Sequence, residues 1–123
     1  MRTMLLALPR TLRVAVMAAA VGTILWLSLS PVDTLPIPTF WDKAQHALAF
    51  LALTALGLLL SSRRRLVPWA ALGLGLAIEV LQATMGFGRV GDWRDLVADA
   101  VGVVLAVGFF AVAQRLLPET ARP

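Results

Sequence analysis

Apolar residues in this chain come in long runs rather than in alternation. Four runs stand out: about Val14 to Ser30, Ala44 to Leu60, Leu66 to Met85 and Leu96 to Leu117. A helix that crosses a bilayer needs roughly 20 residues, within a range of about 17 to 25. All four runs reach that range, the first two at its short end. The hydrocarbon core offers no water, so each run must satisfy its backbone hydrogen bonds internally. The pattern therefore predicts an all-α membrane protein with four transmembrane helices. Val101, Val103 and Val104 would favour a strand in a soluble domain, but the length of their run overrides that preference.

The breaks between runs are equally plain. Pro31, Pro36 and Pro38 discourage a helix after the first run. Residues 61–65 form a short basic connection, and Gly86, Gly88 and Gly91 mark a turn before the fourth run. The first run starts behind Arg2, Arg10 and Arg13 and ends on Ser28 and Ser30, which suits a cleaved signal peptide. Its length and the following Pro31 favour a retained helix instead.

Composition sharpens the class. Of 123 residues, 59% are hydrophobic and 15% charged. An ordinary soluble domain is nearer about half apolar and about a quarter charged. The length allows one domain, spanning 1–123. With no cysteine, disulfides, thiolate nucleophiles and cysteine-ligated metals are excluded.

The net charge of +4 divides between two sides. Arg2, Arg10, Arg13, Arg63, Arg64, Arg65, Arg115 and Arg122 fall on one side of a four-span model, with Glu119 the acid there. The other side holds Lys43, Arg89 and Arg94 with Asp33, Asp42, Glu79, Asp92, Asp95 and Asp99. The positive-inside rule puts both termini in the cytoplasm. The basic excess then reads as a topology signal with attraction to anionic lipid, not as a nucleic-acid surface. Trp41 and Trp93 suit the outer membrane boundary, Trp69 the inner one.

The ionisable residues of the spans converge. Asp42, Lys43 and His46 start the second helix, Glu79 and Gln82 end the third, and Asp92, Asp95 and Asp99 start the fourth. Helices of alternating direction bring these groups to one depth, in the outer leaflet. Positions three, four and seven apart share a helix face. Asp92, Asp95 and Asp99 make one such stripe, continued by Gly102 and Ala106, and Gly75, Glu79 and Gln82 make another. Small residues let helices approach closely, and intramembrane ionisable residues are functional candidates that need partners. For Glu79 those candidates are Lys43, His46, Arg89 and Arg94. Fastening helices together, and capping the fourth helix with Asp92, are the plain structural alternatives.

The same residues carry a resemblance. Asp42-Lys43-Ala44-Gln45-His46 with Phe50 resembles the D-K-x-x-H-x-x-x-F signature of VanZ-like membrane proteins. Glu79 and Gln82 resemble that family's E-x-x-Q. Arg89, Asp92 and Asp95-Leu96 resemble its R-x-x-D-x-x-D-L segment, with Gly102 following. The family usually has asparagine where this chain has Asp99. The resemblance implies a small bacterial inner-membrane protein of the cell envelope, of a kind associated with resistance to the glycopeptide teicoplanin.

Three functions follow as expectations. In the first, Lys43, Arg89 and Arg94 meet a lipid-linked or anionic outer-leaflet ligand, while Asp42, His46, Glu79, Gln82, Asp92, Asp95 and Asp99 orient it. In the second, His46, Glu79, Asp92 and Asp95 act as acid and base on a lipid phosphate, or hold an oxygen-liganded cation such as magnesium. One histidine is thin for zinc, and Thr84 is the nearest hydroxyl. In the third, Glu79 and Asp99 relay protons for transport. Membrane lipids and a lipid-linked envelope precursor are the expected partners. The ligand, the cofactor, the existence of a reaction and the oligomeric state stay open at this level.

Overall fold

In a computed structural model, residues 2–31, 42–86, 88 and 90–117 are described. Asp33, Trp41, Arg89, Glu119 and Arg122 lie outside them. A short α1 (Arg2–Leu6) precedes α2 (Arg10–Leu29), α3 (Asp42–Leu60), α4 (Val67–Met85) and α5 (Trp93–Leu116). No strand occurs among the described residues. The four long helices are each apolar enough to cross a membrane. Each begins or ends within a few residues of its sequence-derived run. The valine-rich stretch of α5 is helical throughout.

Local chemistry sets the helix ends. A 3-10 turn at Arg64–Leu66 feeds α4, whose first turn carries Pro68, where a missing N–H costs no intrahelical bond. Gly86 closes α4 in the left-handed region at φ 71°, which glycine adopts without a Cβ clash. Asp92 caps α5: its side chain accepts the Arg94 N–H at 2.9 Å.

The closest helix pair is α3 with α5, and glycine makes that closeness possible. A Cβ on Gly102 would sit 2.1 Å from the Ala47 carbonyl oxygen and 2.8 Å from the Leu51 nitrogen. The two backbones touch where Gly102 has no side chain. Phe50, Ala71, Ile78 and Val103 make the buried core, with Ile24 and Leu25 of α2 packed against it. Trp69, Val80, Val104 and Phe109 are exposed, as expected of surfaces that face lipid.

Among the described residues, two side-chain bonds tie α2 to the other long helices, and both end on backbone carbonyls. Arg13 Nη1 donates to Leu60 O at 3.0 Å near one end of the helix. Gln82 Nε2 donates to Ser28 O at 2.8 Å near the other. No α2 residue is fully buried, so α2 rests on the other three helices rather than entering their core.

Candidate functional site

The starts of α3 and α5 and the end of α4 meet at one end of the bundle. They bring together Asp42, Lys43, His46, Glu79, Gln82, Asp92, Asp95 and Asp99. Of the nine expected site residues, Arg89 lies outside the described residues.

Charge alternates from the rim of this cluster to its floor. Lys43 is exposed. Its Nζ reaches Asp92 Oδ2 at 2.9 Å and Asp42 Oδ2 at 3.5 Å, and it bonds Asp95 Oδ1. The other Asp95 oxygen stands 3.9 Å from His46 Nε2. The opposite ring nitrogen, Nδ1, is 2.8 Å from Asp99 Oδ1. Lys43, Asp95, His46 and Asp99 thus form a continuous series that ends on a wholly buried carboxylate. A carboxylate beside each ring nitrogen fixes the orientation of the imidazole.

Glu79 reaches a different partner from those its position suggested. It pairs with a backbone amide: the Asp92 N–H donates to Glu79 Oε2 at 2.7 Å. The loop can lie this close because position 91 is glycine. A Cβ there would fall 2.7 Å from Glu79 O and 2.9 Å from Ala83 Cβ. Gly91 is a site residue that sequence reasoning took for a turn signal, and spacing alone gives no sign of its contact with α4.

Gln82 serves the backbone of α2 rather than Glu79. Arg94 gives its amide to Asp92 and its guanidinium lies 5.9 Å from the Trp93 ring centroid. Thr84 turns its hydroxyl back onto the carbonyls of Val80 and Leu81, both at 3.0 Å, so it offers the cluster no nucleophile. Asp92 both caps α5 and binds Lys43. The Arg94 amide, and after it Lys43, hold the Asp92 carboxyl below the usual carboxylate range.

Two oxygens are left over. Glu79 Oε1 and Asp99 Oδ2 are buried without a hydrogen-bond partner. Unsatisfied buried carboxylate oxygens are rare and costly, so each calls for a partner such as a cation. Asp99 Oδ2 abuts Gly75, where a Cβ would be 2.6 Å away. Ligand atoms of His46, Glu79 and Asp99 all lie within 4.8 Å of one another, as do those of Asp42, His46 and Asp95. One nitrogen and two carboxylates at that spacing suit a hard divalent cation that completes its shell with water or ligand oxygen.

A family model described as VanZ/LLP1 matches residues 4–114. That span covers α2, α3 and α4, all but the last two residues of α5, and every residue of the cluster. No curated protein and no solved structure matches the chain.

Proposed function

The chain belongs to the VanZ/LLP1 family, and from that premise we propose an envelope protein whose helix-end cluster binds a lipid-linked, phosphate-bearing ligand through a divalent cation. The protein sits in the bacterial inner membrane with both termini cytoplasmic, following the arginine distribution. The cluster then opens toward the outer leaflet, where lipid-linked envelope precursors and glycopeptides such as teicoplanin meet. The family name ties such a role to glycopeptide resistance.

The observation that carries this reading is the pair of unpartnered buried oxygens, Glu79 Oε1 and Asp99 Oδ2. It favours a cation over direct recognition of an anion. A phosphate would need unspent positive charge, and among the described residues of the cluster Lys43 is already shared among Asp42, Asp92 and Asp95. Among the described residues of the cluster five carboxylates stand against Lys43 and His46, a balance that favours a cation over an anion. His46, Glu79 and Asp99 would hold the cation. Lys43 and Asp92, nearer the surface, would face the ligand.

The test uses purified protein in nanodiscs, with Mn2+ as a spectroscopic stand-in for Mg2+ and a polyprenyl phosphate as the lipid probe. About one Mn2+ per chain is expected, lost in Glu79→Gln, together with probe retention that chelator abolishes. Probe retention that ignores chelator, or Mn2+ uptake equal in Glu79→Gln, overturns the reading. In cells, raised teicoplanin tolerance on expression should vanish with the same substitution.

A second reading has its own observation. The His46–Asp99 pair, 2.8 Å apart, orients an imidazole as a general base is oriented. Release of inorganic phosphate or a new lipid species from the probe, lost in His46→Gln, would establish catalysis in addition to binding.

A further inference from the structure

At the arginine-rich end of the bundle, opposite the carboxylate cluster, a groove of about 920 Å³ separates α2 from α3 and α4. Its mouth carries Arg10 and Arg13 of α2 and Arg63 of the α3–α4 connection, and no acid is among the described residues that line it. Its walls are apolar, with Met17 and Val21 from α2, Leu53 from α3 and Leu74 from α4. From Arg10 to Val21 the helix rises roughly 17 Å at about 1.5 Å per residue. That is close to one leaflet, half of a hydrocarbon core about 30 Å thick. Positive charge at headgroup level above an apolar slot one leaflet deep has the outline of a single lipid.

We propose that this groove holds one anionic phospholipid of the surrounding leaflet, with its phosphate among Arg10, Arg13 and Arg63 and one acyl chain between α2 and α4. Three features favour that occupant. The charge is complementary, and basic pockets between membrane helices recognise anionic headgroups. Arg13 lines the groove with its Nη1 fixed on Leu60 O and its buried Nε unpartnered, so the guanidinium is held in place with a donor still unspent. Finally, α2 is held by side-chain bonds near its two ends and buries no residue against the groove. A lipid chain would fill the space that helix packing leaves there. The site is separate from the carboxylate cluster and does not depend on it.

The test is native mass spectrometry of the full chain purified from membranes containing phosphatidylglycerol and phosphatidylethanolamine. One tightly held phosphatidylglycerol per chain is expected. Arg10→Gln with Arg63→Gln should lower its occupancy at least tenfold and leave the Arg13–Leu60 bond in place. Ala18→Phe, which fills the slot without touching charge, should lower it as strongly. Arg65→Gln and Val104→Phe lie outside the groove and should retain the lipid. Melting temperatures of all variants separate loss of lipid from loss of fold. Equal retention of phosphatidylethanolamine, unchanged retention in the double arginine variant or in Ala18→Phe, or a second copy of the chain crosslinked into the groove would each overturn the proposal.

Discussion

Asp99 follows His46 by 53 positions in the chain, yet its Oδ1 stands 2.8 Å from His46 Nδ1. The pair joins α3 to α5 at the floor of the polar cluster, where Asp99 has no exposure to solvent. Removing one partner of such a buried pair strands the other. His46→Ala should therefore cost about 3 kcal/mol of stability. The same change made in an Asp99→Asn background should cost less, leaving a coupling energy of about 1–2 kcal/mol. Unfolding of the four variants in mixed detergent measures the cycle, and strict additivity would show that the pair does not bind the helices together.

The α3–α5 contact makes a second prediction with a built-in control. In Gly102→Ala the new methyl meets the Ala47 carbonyl, which is backbone and cannot step aside. Overpacking of this kind costs about 1–3 kcal/mol. Gly108 lies on the same helix with nothing within 4 Å of its would-be Cβ. Gly108→Ala should be neutral, or stabilising by up to about 1 kcal/mol through helix propensity. Thermal unfolding should place Gly102→Ala below the parent and Gly108→Ala at or above it.

Lys43 separates the two ways in which the cluster could meet a phosphate. If the phosphate binds directly to the lysine, Lys43→Met loses the ligand. If a cation held by His46, Glu79 and Asp99 makes the bridge, the same substitution removes the positive charge that Asp92 and Asp95 hold beside that site. Mn2+ affinity should then rise several-fold, since a neighbouring positive charge no longer opposes the ion. Titration of the variant with Mn2+, without lipid, gives the sign.

Asp92 has a pH signature. Its carboxyl is held below the ordinary range, first by the Arg94 amide and then by Lys43. A depressed acid lends its stabilisation fully above the unfolded value of about 3.9 and loses it as pH falls through the lower folded value. Hydrogen exchange at the Arg94 amide, corrected for intrinsic rate, should stay flat from neutral pH down to about 4 and rise below it. In Asp92→Ala the protection should already be missing at pH 7.

Much of this architecture was legible in the sequence because a bilayer simplifies the problem. Run length alone locates α2 to α5, and alternating direction puts Glu79 and Asp99 at one depth. The small-residue stripes through Gly75 and Gly102 also mark the faces that meet. What the sequence left open is azimuth. A period of 3.6 residues says which residues share a face, but not how far each helix is turned toward its neighbour. His46 shares a face with Asp42, yet its bond runs to Asp99 on another helix. Glu79 invited a cation as partner and has a backbone amide instead, because a loop glycine lets the chain cross close to α4. The arginine-rich groove was hidden for a related reason. Arg10, Arg13 and Arg63 read as topology markers one at a time, and only the gap beside α2 makes them a set.

The bonds from Arg13 and Gln82 that tie α2 to its neighbours both end on main-chain carbonyls, those of Leu60 and Ser28. Every amino acid carries a carbonyl, so replacing Ser28 leaves the acceptor in place, whereas replacing Gln82 removes the donor. Sequence constraint therefore falls on one side of each contact: Gln82 and Arg13 are held, while position 28 can drift. At its Gln82 end, the first long helix can therefore change the side chain at position 28 over evolutionary time and keep its register, whereas at its other end the fixed residue is its own Arg13.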